Sequence, residues 1–347
     1  MKNINAALLS FGMSGHVFHA PFIHLHPGFT LLGAWERTTK KIQEFYPEVK
    51  SYESKEAVLD DPNVDLVVVN TPTYTHYEYT KKVLEAGKHA VVEKAFTTTT
   101  QEAEELRDLA KSKGLKLCVF QNRRWDSDFK TVKEVIQNGM IGEVVEATIG
   151  FLRYNPNLSP KTHKEKPSPG AGIMKDLGPH VIDQALDLFG MPKSVFADIA
   201  ITRKDSEVDD YFDILLKYDA FRVHIKGGYF FREMGPSYIL HGTKGSFLKS
   251  RGDVQEDQLK LNKKPDDDDY GIEPVVEEGL LHTEIEGKVI RKNIPTHTGN
   301  YKDYYEGVYQ AIANGEPEPV TAQDGVNVMK IIDAAFESAE HKKVISF

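Results

Sequence analysis

The sequence predicts an α/β fold in which an N-terminal doubly wound parallel sheet precedes an α+β domain with a large open antiparallel sheet. Three observations support this prediction. The chain opens with a strand that runs into a glycine-bearing turn, strands and helices then alternate up to residue 122, and β-strand patterns dominate afterwards. We therefore expect one domain at residues 1–122 and a second at 123–347, whose last helices could pack back on the first.

The opening strand, predicted at residues 6–9, leads into a tight turn and then a helix over 18–25. The turn consists of Ser10, Phe11, Gly12, Met13, Ser14 and Gly15. It is one residue away from the G-x-G-x-x-G motif, because Ser10 stands where the first glycine would be. Such a turn lets a pyrophosphate approach main-chain N–H groups at the start of a helix. The turn therefore predicts a Rossmann domain that binds a dinucleotide.

The rest of the first domain repeats this alternation. Strand patterns occur at residues 29–35, 64–70, 90–92 and 115–120, and helical patterns at 39–45, 77–86 and 100–112. Gly87 and Gly114 follow two of the helices, where a glycine commonly ends a helix. This order is typical of βαβ units.

The second domain has a different pattern. Strands are predicted at residues 143–154, 194–203, 211–218, 221–230 and 237–241, with tight turns at 218–220 and 242–245. Helices are predicted at 128–138, 179–189, 301–313 and 323–342, and Gly190 is expected to end the second of them. The run of four aspartates at 266–269 is expected to be a solvated loop.

Two signals at the end of the second strand conflict over the cofactor. Glu36 lies where an acidic side chain would bind the ribose of NAD. Arg37 and Thr38, followed by Lys40, instead suit the 2′-phosphate of NADP. We favour NADP, with Glu36 turned away and NAD as the alternative.

Two later strands end in polar residues at the edge where a doubly wound sheet binds its ligand. Thr71, Pro72 and Thr73, with His76 on the next helix, could line the nicotinamide ribose or form an ordinary turn. The other strand ends at Glu93 and Lys94, and a lysine there could donate to a bound substrate.

Asp176 and His180 are the main chemical feature of the second domain. They are four positions apart at the start of a helix, so a carboxylate could orient an imidazole that moves protons. The alternatives are a helix cap beside a structural histidine, or a metal pair that recruits His163 or Asp183. We predict no metal. His16 and His19, on the first helix, are expected to be structural.

Polar and aromatic residues cluster near the predicted boundary between the two domains. We assign Asn122 to the cofactor, and Arg124, Trp125 and Tyr154 to a polyol substrate. The alternative is that these residues form salt bridges between the domains.

Composition excludes several other classes of protein. The net charge of −9, without a basic stripe, argues against nucleic-acid binding. No run reaches the roughly 18 apolar residues of a membrane span, and the first residues do not resemble a signal peptide. The single cysteine, Cys118, rules out an internal disulfide and fits a reducing compartment. We expect a cytoplasmic protein.

With these motifs assembled, the chain resembles the glucose–fructose oxidoreductase/inositol dehydrogenase/MocA (Gfo/Idh/MocA) family of NAD(P)-dependent dehydrogenases over its whole length. The markers are the glycine turn, Thr71-Pro72, Glu93-Lys94 and the Asp176/His180 pair. Residues 14–21, 122–126 and 176–184 are similar to the NADP-dependent scyllo-inositol dehydrogenase branch.

The resemblance implies a catalytic group and a substrate class. Lys94, Asp176 and His180 would be catalytic: His180 removes a hydroxyl proton, Asp176 orients it, and Lys94 holds the substrate oxygen. The substrate would be a cyclitol or sugar, and the protein a homodimer or homotetramer. Ala95 departs from the family pattern, which has proline there, so the Lys94–Ala95 peptide could be trans or cis.

Two other functions fit the same fold. A non-catalytic protein could sense dinucleotides, and a redox-cycling glycosidase or lyase could hold NAD tightly. A sensor would have no reason to retain Lys94, Asp176 and His180 together.

Overall fold

The computed structural model of the chain describes residues 3–38, 40–159 and 165–347. The chain forms two compact units. The first contains the chain up to Asn122 together with Gln255–Tyr270 and Asn300–Met329. The second contains Arg123–Val254, Gly271–Gly299 and Lys330–Phe347. The second unit thus begins at Arg123, and two later segments belong to the first unit.

The first unit contains a parallel sheet with the strand order β3-β2-β1-β4-β5-β6. Its strands are β1 (Ile4–Leu8), β2 (Phe29–Trp35), β3 (Lys50–Tyr52), β4 (Leu66–Val69), β5 (His89–Glu93) and β6 (Leu117–Phe120). All four residues of β4 are buried, as expected for a central strand covered on both faces. The order reverses between β1 and β4, which is where a doubly wound sheet binds its ligand. The predicted Rossmann sheet is confirmed.

The second sheet has the order β14-β13-β12-β11-β7-β10-β9-β8-β15 within the described residues. Its strands are β7 (Val144–Leu152), β8 (Ser194–Ala200), β9 (Tyr211–Lys217), β10 (Arg222–Gly228), β11 (Tyr238–Gly242), β12 (Gly245–Lys249), β13 (Gly279–Ile285), β14 (Lys288–Ile294) and β15 (Ile345–Ser346). The predicted turns at 218–220 and 242–245 both join antiparallel neighbours. The sheet is mixed rather than purely antiparallel, because β7 and β10 pair in parallel.

Most α-helices of the described residues match predicted helices to within three residues at each end, but none was predicted at Lys55–Asp60, Ile173–Asp176 or Gln255–Lys260. The α-helices are α1 (Ala20–Leu25), α2 (Ile42–Phe45), α3 (Lys55–Asp60), α4 (His76–Glu85), α5 (Thr100–Lys113), α6 (Ser127–Gln137), α7 (Ile173–Asp176), α8 (Gly178–Phe189), α9 (Gln255–Lys260), α10 (Lys302–Asn314) and α11 (Ala322–His341). A π-helical turn, Gly15–His19, leads directly into α1. No helix of these residues combines the length and apolar character that crossing a membrane requires.

Glycines end two helices as predicted. Gly114 follows α5 with φ 65°, and Gly190 follows α8 with φ 71°. A residue without Cβ adopts such positive φ values without a steric penalty. At its start, α5 carries a capping box in which Thr99 and Glu102 each bind the other's main-chain N–H group.

Helix α10 belongs to the first unit. The ring of its Tyr305 stacks on Phe22 of α1, with centroids 6.1 Å apart. A Cβ at Gly28 would collide with the ring of Tyr309, one turn further along α10. The close fit explains why this segment packs with the parallel sheet although it follows the second domain in sequence.

Candidate active site

The two glycines of the turn after β1 have different surroundings. A Cβ at Gly15 would collide with the carbonyl oxygen of Ser10 and lie 3.0 Å from Nδ2 of Asn70. At Gly12 a Cβ would approach only Oγ of Ser10, at 3.5 Å. Gly12 and Met13 are exposed. Gly15 is therefore needed for packing, whereas Gly12 keeps the main chain open toward a ligand.

Ser10 fits the position of the missing glycine. Its φ does not lie in the left-handed region, so a side chain is tolerated there. Its hydroxyl accepts the N–H of Gly12 at 3.2 Å, and its carbonyl accepts Nδ2 of Asn70 at 2.8 Å. The second bond ties the end of β4 to the turn.

A cleft of about 410 Å³ opens beside this turn, and its walls belong to the first unit. It is lined by residues 9–12 and 35–38, by Lys41, and by Thr71, Pro72, Tyr74, Thr75 and Tyr79. The cleft thus brings together three of the predicted cofactor segments. Met13, Ser14 and Thr73 are not among its lining residues.

Glu36 does not point its carboxylate toward a ribose. Its oxygens accept the main-chain N–H groups of Lys41, at 2.9 and 3.0 Å, and of Ile42, at 3.1 Å. Only 7% of the residue is exposed. The carboxylate therefore caps α2, where it satisfies N–H groups that have no partner within the helix.

The cations of the same corner divide into two groups. Arg37 and Lys41 are exposed and line the cleft, as does Thr38. Lys40 instead donates its ammonium to the carbonyl of Tyr52 at 2.8 Å. The cleft wall therefore carries two cations while the nearby carboxylate is committed to a helix.

His76 takes a structural position. One ring nitrogen lies 2.8 Å from the carbonyl oxygen of Thr71, and the other lies 2.8 Å from that of Ala95. Burial lowers the pKa of the imidazole. The side chain links the segments that follow β4 and β5, so its ring nitrogens are occupied by main chain rather than available to a cofactor.

Glu93 and Lys94 end β5, and the Lys94–Ala95 peptide bond is cis. The Glu93 carboxylate accepts bonds from Oγ of Ser14 at 2.6 Å, Nε2 of His19 at 3.1 Å and N of Lys94 at 3.2 Å. Burial alone would raise the pKa of this carboxyl, but the bonds from His19 and Ser14 outweigh burial and lower it. Glu93 thus joins the glycine turn to the main chain of Lys94.

Asp176 and His180 lie on consecutive helices of the second unit. Asp176 is the last residue of α7, and Leu177 rather than Asp176 occupies the N-cap position of α8. Pro179 lies in the first turn of α8, as predicted. His180 follows it and is only 6% exposed.

A partly buried aspartate holds α7 in place. The carboxylate of Asp209 accepts the N–H of Met174 at 2.7 Å. Gly172 precedes the helix with φ 91°, and a Cβ there would collide with the Asp209 carboxylate. Burial raises the pKa of Asp209. This contact fixes the start of the helix that carries Asp176.

Cations surround the aromatic ring next to His180. The rings of Phe151 and His180 have centroids 6.5 Å apart. The guanidinium carbons of Arg123, Arg153 and Arg251 lie 5.3, 4.7 and 4.6 Å from the Phe151 centroid. Two of these guanidinium groups already have protein partners: Arg123 donates to Asp126 at 3.3 Å, and Arg251 donates to the Gly150 carbonyl and to Oε1 of Gln184. Arg251 was not among the residues that the sequence singled out.

Arg124 is committed to salt bridges within the second unit. Its Nε and Nη2 donate to the two oxygens of Asp183 at 2.8 and 2.7 Å, and Nη1 lies 3.4 Å from Asp187. The salt-bridge alternative therefore describes this arginine better than substrate contact, although both partners belong to one unit.

The other junction residues differ in exposure. Asn122 is buried and begins the 3₁₀ turn Asn122–Trp125, in which Trp125 is partly exposed. Tyr154 is 42% exposed, and the Arg232 guanidinium lies 3.9 Å from its ring centroid.

The metal alternative gains no support. No group of three or more histidine, cysteine, aspartate or glutamate residues in the described part of the chain is arranged to hold an ion. Asp183 is engaged by Arg124, and His163 lies outside the described residues.

Sequence reasoning missed Lys41, Tyr74 and Tyr79 at the cleft. Lys41 lies only four positions after Arg37, and Tyr74 directly follows the predicted 71–73 segment. A wider search for charge and aromatic residues around these two strand ends would have found them. It would not have found the contact between Glu93 and His19, because these residues are 74 positions apart.

The reversed strand order and the glycine turn define a dinucleotide-binding enzyme framework. Residues 4–121 match the family model described as "Oxidoreductase family, NAD-binding Rossmann fold". Residues 133–347 match the model described as "Oxidoreductase family, C-terminal alpha/beta domain". The chain belongs to the Gfo/Idh/MocA family of NAD(P)-dependent oxidoreductases.

Individual relatives agree with this assignment. The NADP⁺-dependent scyllo-inositol 2-dehydrogenase IolW of Bacillus subtilis is 37% identical over 345 residues, which cover 99% of this chain and 96% of the relative. The D-glucoside 3-dehydrogenase of Escherichia coli is 29% identical over 201 residues, or 56% of this chain and 57% of the relative. A crystal structure of an oxidoreductase from Bacillus cereus superimposes with a TM-score of 0.93 at 30% identity, covering 99% of each chain.

Proposed function

We propose that the protein is an NADP-preferring dehydrogenase that oxidises a CH–OH group of a cyclitol or sugar resembling scyllo-inositol. The observation that carries this proposal is the presence of Lys94, Asp176 and His180 in a chain similar to IolW over nearly its full length. The similarity to a D-glucoside dehydrogenase supports the wider class of polyol and sugar substrates.

The residues around the glycine turn fit a nicotinamide dinucleotide. Gly12 leaves its main chain open, and the following helix start favours a pyrophosphate there. Thr71 and Pro72 would contact the nicotinamide side of the cleft. A bound NADP would supply the hydride acceptor for the reaction.

The preference for NADP is supported by the corner after β2. Arg37, Thr38 and Lys41 offer two cations and a hydroxyl to a 2′-phosphate. Glu36, which would otherwise repel that phosphate, caps α2 through three N–H contacts. An enzyme specific for NAD would instead direct the carboxylate at the ribose hydroxyls.

The chain's own residues would then perform the proton chemistry. His180 receives the hydroxyl proton of the substrate, since a neutral imidazole is a good proton acceptor near physiological pH. Asp176 favours the imidazolium that forms, and the ammonium of Lys94 holds the substrate oxygen as its charge changes. Trp125 and Tyr154 contact the polyol.

A screen tests the proposal directly. Purified protein is incubated with inositols and aldoses, each with NADP and with NAD, and formation of reduced cofactor is followed by absorbance. We expect turnover with at least one cyclitol or sugar and faster turnover with NADP. His180→Ala should lower kcat by about 100-fold or more while NADP binding persists.

Adding glycosides to the same screen, and following their cleavage as well as cofactor reduction, separates the alternatives. A dinucleotide sensor would bind cofactor and turn over none of these compounds. A redox-cycling glycosidase or lyase would convert a glycoside with tightly held NAD and would not reduce added cofactor.

We also propose that the protein acts in the cytoplasm as a homodimer or homotetramer. Cys118 is buried and is the only cysteine, so the fold does not depend on an oxidising compartment. Light scattering coupled to size exclusion would give the mass in solution, and a monomer would contradict the assembly proposal.

A further inference from the structure

Four side chains of the first unit form a continuous hydrogen-bonded series, here called the Glu93 relay. Its members are Tyr305, His19, Glu93 and Ser14. The Tyr305 hydroxyl lies 2.6 Å from Nδ1 of His19, whose Nε2 lies 3.1 Å from the Glu93 carboxylate. The same carboxylate oxygen accepts Oγ of Ser14 at 2.6 Å.

The proton positions in the relay follow from the partners. Burial, assisted by the negative charge of Glu93, raises the pKa of Tyr305, so its phenol keeps its proton. The lowered pKa of Glu93 leaves a carboxylate that can only accept, so Nε2 of His19 donates to it. The hydroxyl of Ser14 is the second donor to that carboxylate.

Packing alone does not explain these polar groups. His19 is fully buried, and the centroid of its ring lies 4.4 Å from the centroid of the Phe120 ring. Tyr305 stacks on Phe22. Apolar rings of similar size would fill the same space without the cost of burying a carboxylate, a phenol and an imidazole. What the polar groups add is a defined position for the Glu93 carboxylate.

That position connects two parts of the candidate active site. One carboxylate oxygen of Glu93 holds Ser14 of the glycine turn, and the other accepts the N–H of Lys94 at 3.2 Å. The glycine turn and Lys94 lie 79 or more positions apart in sequence and meet at this one side chain. A displaced carboxylate would release both contacts together.

We propose that His19 and Tyr305 are positioning residues that hold Glu93 between the glycine turn and the main chain of Lys94. The inference rests on the proposed function, because it assigns Lys94 to the substrate oxygen. Neither residue touches substrate or cofactor in this account. By holding Glu93, each residue fixes the position of the Lys94 main chain relative to the glycine turn.

Substitutions that keep the shape test the relay. Tyr305→Phe removes only the hydroxyl, and Tyr309→Phe makes the same change one turn further along α10, outside the relay. With a substrate found in the screen, Tyr305→Phe should lower kcat about tenfold, since small displacements of reacting groups are costly, and change the KM for NADP little. Tyr309→Phe should match the wild type. Equal kcat values for the two variants would overturn the proposal.

A second pair of variants separates positioning from folding. His19→Gln keeps an amide donor for Glu93 and an acceptor for Tyr305, whereas His19→Leu keeps only the volume. We expect Gln to retain more kcat than Leu when both melt at similar temperatures. If Leu is as active as Gln, the hydrogen bonds have no positioning role.

Hydrogen exchange gives a readout that needs no turnover. The Lys94 amide should exchange about tenfold faster in Tyr305→Phe than in Tyr309→Phe, because its acceptor is no longer held in place. Unchanged exchange would overturn the relay even in an active enzyme. If no polyol or sugar is oxidised but the exchange difference is found, the proposed function fails while the Glu93 contact stands.

Discussion

Replacing Arg37 with alanine should reduce the preference for NADP over NAD without weakening NAD binding. Arg37 is exposed and lines the cleft beside Lys41, while Glu36 is turned into α2. A 2′-phosphate bound between the two cations would lose one of them in this variant. NAD lacks that phosphate and would lose little.

The magnitude follows from the exposure of the arginine. Two unit charges about 4 Å apart attract by about 1 kcal/mol in bulk water and about 4 kcal/mol near a protein surface at an effective dielectric constant of 20. Because the Arg37 side chain faces solvent, we take about 1–2 kcal/mol, which corresponds to a change of about 5- to 30-fold in the affinity ratio. Salt should shrink the effect, since exposed charges are screened.

Calorimetric titration of the variants with NADP and NAD measures this ratio without a known substrate. Lys40→Ala is the matched control, because that ammonium donates to the Tyr52 carbonyl and does not line the cleft. Lys41→Ala should resemble Arg37→Ala. An unchanged NADP/NAD affinity ratio in Arg37→Ala, or an equal decrease in Lys40→Ala, would refute the assignment of Arg37 to the 2′-phosphate.

Two further predictions concern stability. Gly15→Ala should lower the free energy of unfolding in urea by about 1–3 kcal/mol, because the new methyl group collides with the main chain. Gly12→Ala should lower it much less. Equal losses in the two variants would show that the collision at Gly15 does not determine stability. Hydrogen bonds from the N–H of Asn63 and then from the hydroxyl of Tyr52 lower the pKa of Asp61 from 3.8 to about 2. The ionised carboxylate therefore stabilises the folded state above pH 3.8, and this contribution is lost as pH falls through about 2. The unfolding free energies of wild type and Asp61→Asn should therefore differ at neutral pH and converge below about pH 2, and a pH-independent difference would exclude this cause.

Local patterns predicted the elements whose signals are local. The strand predicted at 29–35 matches β2, because an apolar run between turn residues marks both ends. Gly114 and Gly190 end α5 and α8 where the predicted helices stop. By contrast, β3 has only three residues, and β14 is mostly exposed, with Val289 and Ile290 adjacent rather than alternating with polar residues. Neither strand has the alternation of apolar and polar residues by which a strand is predicted from sequence.

Contacts between residues far apart in the chain could not be predicted from the sequence. The parallel pairing of β7 with β10 depends on how the 69 residues between them fold, so the prediction of an open antiparallel sheet did not include it. The same limit applies to Arg124, whose partner Asp183 is 59 positions away. His19 was expected to be structural. Its partner Tyr305 could not be predicted, because 286 positions separate the two residues.

The candidate site was predicted best where residue types follow directly from strand ends. Arg37, Thr38, Thr71 and Pro72 all line the cleft. The prediction that Glu36 turns away agrees with its position on the first N–H groups of α2. The roles of Lys94, Asp176 and His180 stay predictions, since chemistry rather than position decides them.

The central claim is that hydride leaves the CH–OH carbon of a polyol and reaches NADP. The most direct test supplies scyllo-inositol deuterated on its ring carbons, followed by the other deuterated substrates found active in the screen, and measures the mass of the NADPH formed. We predict NADPH that carries the deuterium label, and a large loss of its formation rate in His180→Ala. Unlabelled NADPH, or no NADPH from any inositol or aldose, would contradict the account.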